Sequence, residues 1–236
     1  MTIKIYGCVL SGRTARVLAV LFEKDVTDFE LVPVSFDTSP EEIPEFVKTQ
    51  PFGQTPVLVD GPLILFETRA IARYIAEKFE GQGTALYGTS LTEKALVEQW
   101  LEYDCHKFNP PIAIISRENL LKVARGGCPD KAIVEANIVK LGKVLDVYNE
   151  HLAKSKYLAG DFFSLADACH LPYIEHLIDR SKRGDVIDSR PHVKAWWADI
   201  SSRPAWKKVS KMIHEEMRAR RASHDAQKSL EKLEVK

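Results

Sequence analysis

The sequence changes character once, between residues 80 and 90, and that break limits the folds open to it. Before it, short apolar runs alternate with stretches of helical spacing; after it, helical spacing continues and no strand pattern returns. Ile3 to Tyr6 reads as a strand. Thr14, Val17, Leu18 and Leu21 then recur at helical spacing and predict a helix from Gly12 to Lys24. Phe29 to Phe36 is a second β-rich run and completes a β-α-β unit, which favours a parallel pair joined by a right-handed crossover. An acidic, proline-bearing segment and the turn-rich PFGQTP follow. The runs Val57–Val59 and Leu63–Phe66 flank Asp60-Gly61, a hairpin signal. Glu67 to Phe79 reads as a helix with Ile71, Tyr74, Ile75 and Phe79 on one face.

Residues 82–90, rich in Gly, Thr and Ser, read as a linker. Beyond it, long helical patterns run over Leu91–Ala124 and Cys128–His151, and Pro110-Pro111 predicts a bend or break in the first. Shorter helices are expected at Leu165–Arg180, at Pro191–Ser201 and from Pro204 onward. The fold class is therefore α/β plus all-α: an α/β domain over 1–81, a helical domain over 91–214, and a charged tail over 215–236. The tail carries RARR at 218–221. It reads as a solvated helix or frayed end, with a basic docking patch as the alternative.

Composition narrows the function classes. In 236 residues, 45% hydrophobic, there is material for two small cores. Thirty-three basic residues balance thirty-three acidic ones, so no global field draws the chain to nucleic acid or an anionic membrane. Arg13 and Arg16 interrupt the N-terminal apolar stretch, which argues against a signal peptide. No apolar run reaches the eighteen residues a membrane span needs. A cytoplasmic location is expected. Cys8, Cys105, Cys128 and Cys169 form no CxxC pair, so neither a disulfide framework nor a metal site is expected.

Two short patterns carry local physics. Ser164 followed by Asp167 has capping-box spacing, with Phe163 placed to pack on Ala168; this is a folding feature. Ser11 stands just before the helix predicted from Gly12. Position alone makes it an N-cap; a helix N-terminus also suits an anion, which leaves a catalytic role open.

The strings CVLSGRTARVL, PFGQTPVL, LFETRAIARYIA, ALVEQW and FSLADACHLP occur in this order over nearly the whole chain except its last twenty or so residues. Together they resemble the cytosolic glutathione S-transferases, and within them the plant-type phi group. The resemblance implies an N-terminal thioredoxin-like domain followed by a C-terminal helical-bundle domain. It implies glutathione as co-substrate, no metal, a homodimer, and small apolar electrophiles as second substrate. Ser11 matches the thiol-activating serine, with Thr14 in reserve. Cys8 lies three residues too early for the cysteine of the thiol-transferase-like groups. Gln54, Thr55 and Pro56 match the segment that pairs with the tripeptide backbone, with Pro56 cis. Glu67 and Thr68 match the pair that holds the γ-glutamyl end. Arg69 is expected to be structural or at an interface.

One departure stands out. The family's basic or amide residues for the glycyl carboxylate fall here on Glu41 and Glu42, so Lys48, a backbone N–H or a rearranged loop must serve instead. For the acceptor the resemblance points to Leu10, Phe36, Phe108, Ile112 and Ile115. Cys105 and His106 are expected to be structural. The activity implied is conjugation of glutathione thiolate to an electrophile, or reduction of an organic hydroperoxide. The alternatives are a non-catalytic carrier of aromatic metabolites, slightly favoured by Glu41 and Glu42, and a transferase-like module in a larger assembly.

Overall fold

The computed structural model describes residues 2–34 and 50–234, with side chains described to residue 223. Strand β1 (Ile3–Gly7) buries Ile3 and Ile5 and turns Lys4 outward, the two-residue alternation of a half-buried strand. Helix α1 (Gly12–Glu23) crosses to β2 (Phe29–Pro33), which pairs parallel with β1, as the β-α-β pattern predicts. Strands β3 (Val57–Asp60) and β4 (Leu63–Leu65) form the expected antiparallel hairpin. Gly61, with φ 58°, takes the first position of its two-residue loop, where a type II′ turn needs positive φ. β3 also runs antiparallel to β1, giving the sheet order β2-β1-β3-β4. Helix α2 (Thr68–Lys78) packs against α1.

The all-helical half holds α3 (Leu91–Tyr103), α4 (Asn109–Ser116), α5 (Lys131–Leu152), α6 (Leu165–Ala168), α7 (Leu171–Glu175), α8 (Asp185–Asp188), α9 (Pro191–Ser201) and α10 (Pro204–Glu234). α1 packs against α6, α7 and α10 as well as α2, which explains its composition. Of its twelve residues only Arg13 and Phe22 escape full burial. At its C-terminal end Glu23 accepts from Arg203 Nε and Nη2, both at 2.7 Å, and from Thr84 Oγ1 at 2.8 Å. This paired fork joins the first helix, the linker and the entry to α10.

Pro110 and Pro111 mark an interruption of the first long helix, as expected, while two other boundaries differ from the expected ones. A π-helical turn (Asp104–Phe108) precedes the prolines, and they take the first positions of α4, where a missing N–H does least harm. The helix expected over Leu165–Arg180 is divided. Pro172 has no N–H to continue α6, so Tyr173 and Ile174 both donate to His170 C=O and start α7. A further π-helical turn, His176–Arg180, follows α7. The tail continues α10 to Glu234; Ile213 is buried and Met217 packs against the core.

The Ser164–Asp167 pattern folds as expected, and does more. Ser164 Oγ accepts from Ala166 N–H at 3.2 Å, while Asp167 Oδ2 accepts from Ser164 N–H at 3.0 Å. The other carboxylate oxygen accepts from Leu158 N–H at 3.0 Å and from Trp196 Nε1 at 2.9 Å, so a cap also ties α6 to α9.

Candidate active site

Ser11 opens α1 with extended backbone (φ −77°, ψ 122°). Its C=O accepts from Ala15 N–H at 2.8 Å, and its own N–H donates to Cys8 C=O at 2.9 Å. Its side chain makes no capping hydrogen bond. The first turn of α1 has no acidic residue, so nothing in it neutralises the positive end of the helix.

A cleft beside this helix is lined by Arg13 and Arg16 of α1 together with Gln50, Gln54, Thr55, Pro56, Glu67 and Thr68. The residues expected to hold the tripeptide backbone and its γ-glutamyl end are thus brought together, although they lie up to fourteen residues apart in the chain. Ser11 is not among the residues lining this cleft; it precedes by two positions Arg13, which is. The Thr55–Pro56 peptide bond is cis. Arg13 Nη1 donates to Gln54 Oε1 at 3.1 Å.

Glu67 has φ 69° and ψ 111°, a conformation that side chains rarely adopt. Such strain costs on the order of 1–3 kcal/mol and persists only where its surroundings enforce it. It leaves Glu67 exposed at the head of α2, with Thr68 buried behind it. Thr68 Oγ1 accepts from Arg16 Nη1 at 3.1 Å.

Beneath the cleft lies an ionic cluster that joins α1, α2 and the helical half. Asp104, wholly buried, accepts from Arg69 Nε at 2.8 Å and Nη2 at 2.5 Å, and stands 3.6 Å from Arg16 Nη2. Arg16 also donates from Nε to Cys169 C=O at 2.9 Å and lies over the Tyr173 ring. His170 sits 3.7 Å from Asp104, accepts from Tyr148 Oη at 2.8 Å, and reaches Ala166 C=O through Nδ1 at 2.6 Å. Burial pushes the His170 pKa down to about 4 and raises that of Tyr148 well above the ordinary phenol. The neutral tautomer with hydrogen on Nδ1 satisfies both contacts.

Other expected residues fall elsewhere. Phe108, Ile112 and Ile115 are 0% exposed and belong to the hydrophobic core; Phe108 rests against Tyr148 and His170. They do not wall an open acceptor pocket, because the face of the helix that bears them turns inward. The cleft instead receives Cys105, Asn109 and Tyr173 from the helical half. Leu10 is half-buried beside Ser11. Phe36, Glu41, Glu42 and Lys48 lie outside the described residues. Thr14 is wholly buried against Gly7, where an added Cβ would lie 2.5 Å from its Oγ1, so it faces the sheet and not the cleft. His106 is exposed and pairs with Glu102 at 3.1 Å. Arg69 and Asp104 were legible as charges but not as a cluster, since no local spacing announces an ion pair 35 residues apart.

The family model described as glutathione S-transferase, N-terminal domain, matches residues 1–77, and that of the C-terminal domain matches 112–204. Glutathione S-transferase F13 of Arabidopsis thaliana is 46% identical over 211 residues, covering 89% of this chain and 95% of that protein. Among solved structures, glutathione transferase F7 from Populus trichocarpa is 49% identical with a TM-score of 0.85, covering 90% of this chain and 99% of that one. Maize glutathione S-transferase I in complex with an atrazine glutathione conjugate is 39% identical with a TM-score of 0.83, covering 91% and 99%.

Proposed function

The chain belongs to the glutathione S-transferase family, in its phi group, and from that we propose that Ser11 keeps the sulfur of bound glutathione ionised for attack on an electrophile. The protein is a transferase that conjugates glutathione. A free thiol has a pKa of about 8.5 and is only about 3% thiolate at pH 7. Bringing it to about 6.5 needs about 2.7 kcal/mol of preference for the anion. One hydrogen bond to a charged group supplies about 1.5–3 kcal/mol, and a helix N-terminus about 0.3–1. Ser11 at the head of α1, whose first turn has no acidic residue, offers both.

The observation that carries this reading is that the Ser11 hydroxyl stands at the N-cap and makes no capping bond. A serine there ordinarily accepts from the helix backbone, which fixes its rotamer; here that contact does not hold the hydroxyl, and its O–H is free to turn to sulfur. Thr55 offers its backbone to the tripeptide, while Glu67 and the N–H groups at the head of α2 receive the γ-glutamyl ammonium and carboxylate. Arg13, Gln50 and Gln54 supply donors for the glycyl carboxylate that Glu41 and Glu42 cannot. The enzyme holds both reactants close, and the sulfur adds to, or displaces a leaving group from, an apolar electrophile. A homodimer is part of this reading, by analogy with the family.

The test is conjugation of 1-chloro-2,4-dinitrobenzene by the native protein and Ser11→Ala. The expected result is a loss of turnover of tenfold or more, with glutathione still retained on an affinity resin. Full activity in Ser11→Ala would overturn the assignment.

A further inference from the structure

A second cleft, of ≈ 380 Å³, lies between the π-helical turn His176–Arg180 and the middle of α10. Its floor is apolar, from Ile213 and Met217, and four cations, Arg180, Lys182, Arg218 and Arg221, surround it. Arg218 and Arg221 come from the RARR run. Three positions apart on one helix, they share a face. Both lie beyond residue 204, where the match to the family's C-terminal domain stops.

Two carboxylates also line the cleft, but they are partly committed. Glu175 accepts from Trp206 Nε1 at 2.8 Å and from Ser210 Oγ at 3.0 Å, and Asp179 stands 3.8 Å from His214. Glu175, Asp179 and His214 bring one ligand atom each within 4.8 Å of one another. With both Glu175 oxygens occupied and four cations around them, an anion is the better-matched guest.

Among the described residues, two polar atoms at this cleft are buried without a hydrogen-bond partner, Arg180 Nη2 and His176 Nε2; His176 is 3% exposed. A buried guanidinium N–H lacking an acceptor is strongly unfavourable, and a bound anion removes that defect.

The cleft adjoins the reacting end of α1. A Cβ at Gly12 would meet His176 Cε1 at 3.5 Å and Tyr173 Cζ at 3.4 Å. Tyr173 lines the first cleft and His176 the second, so the two clefts are neighbours at the residue after Ser11. From the tail, Arg220 Nη2 donates to Cys8 Sγ at 3.7 Å, in the loop that leads to Ser11.

We propose that the second substrate is an electrophile bearing a carboxylate or sulfonate on an apolar body, its anion held by Arg180, Arg218 and Arg221. This rests on the glutathione-transfer reading above. For an aryl chloride the thiolate sulfur forms the C–S bond, the C–Cl bond breaks, chloride leaves with the electron pair, and the thiol proton passes to solvent.

The experiment compares 1-chloro-2,4-dinitrobenzene with 4-chloro-3,5-dinitrobenzoate, which undergoes the same substitution and adds a carboxylate. The proteins are the native chain, Arg218→Gln/Arg221→Gln and Arg218→Lys/Arg221→Lys. Both arginines are exposed on their helix, and melting curves verify the fold. The expected result is a tenfold or greater rise in KM for the benzoate in the Gln pair, a smaller one in the Lys pair, and less than twofold change for the neutral substrate. Equal changes for both substrates, or none for the benzoate, overturn the proposal. If the native protein conjugates neither, the transferase reading fails separately. Calorimetric titration with the benzoate then decides: saturable binding lost in the Gln pair supports the anion site, and no native binding overturns it.

Discussion

Arg16 Nη1 donates to Thr68 Oγ1 across 3.1 Å, so a guanidinium rooted in the first helix positions the residue that opens the second. The same guanidinium faces Asp104, which Arg69 also grips. Removing Arg16 leaves Asp104 with one cation. The cost is therefore set by lost hydrogen bonds to a charged group, about 1.5–3 kcal/mol. Arg16→Gln is expected to lower urea stability by that amount and to raise KM for glutathione, as Thr68 loses its support.

Asp104→Asn is the harsher change. It leaves two buried guanidinium groups facing a neutral amide, and breaking a buried ion pair from one side costs about 3–5 kcal/mol. Urea midpoints compared with those of Arg16→Gln measure the difference; equal losses would show that Asp104 carries no more than one effective pair.

Ser11 and Ser90 occupy the same position on their helices and do different work. Ser90 Oγ accepts from Glu93 N–H at 3.2 Å, and Glu93 reaches back to Ser90 N–H at 3.0 Å. Ser90→Ala is expected to lower stability by about 1 kcal/mol and to leave conjugation intact. Ser11→Ala is expected to change stability by about 0.5 kcal/mol at most, as for sites that make no special contact. Thermal melting and turnover, measured side by side, separate the two roles.

Glu67 holds a positive φ that glycine adopts freely. Glu67→Gly relieves strain of about 1–3 kcal/mol and adds about 0.5–1 kcal/mol of unfolded-state entropy. The net expectation is a gain of about 1 kcal/mol in urea stability, accompanied by weaker retention on glutathione resin. A loss of stability would show that the backbone there is not strained.

His170 predicts a pH dependence. Burial lowers its folded pKa to about 4, against about 6.5 unfolded, so between these values the unfolded chain binds more protons. Its stabilising contribution is intact above pH 6.5 and is lost as pH falls towards 4. At pH 5 the residue alone lowers stability by about 2 kcal/mol relative to pH 7. His170→Gln should flatten the urea-stability profile over that window; an unchanged slope would assign the acid sensitivity elsewhere.

The sequence by itself determined the local order of this protein. Apolar spacing marked β1, α1 and α2; Asp60-Gly61 marked the hairpin; Ser164 and Asp167 marked the cap of α6. Each signal lies within a few residues, where backbone geometry and turn chemistry act. The tertiary structure decided what faces what. Phe108, Ile112 and Ile115 lie in the same π-helical turn and helix α4 as Cys105 and Asn109, yet the first three fill the core and the other two line the cleft, because α5 and the His170 ring cover one face. Arg16, Arg69 and Asp104 are scattered over 88 residues and meet only because burial of α1 between the sheet side and the helical half brings charges together that must then be paired. Spacing along a chain encodes which side of an element is apolar; which neighbour meets that side depends on the packing of the whole molecule.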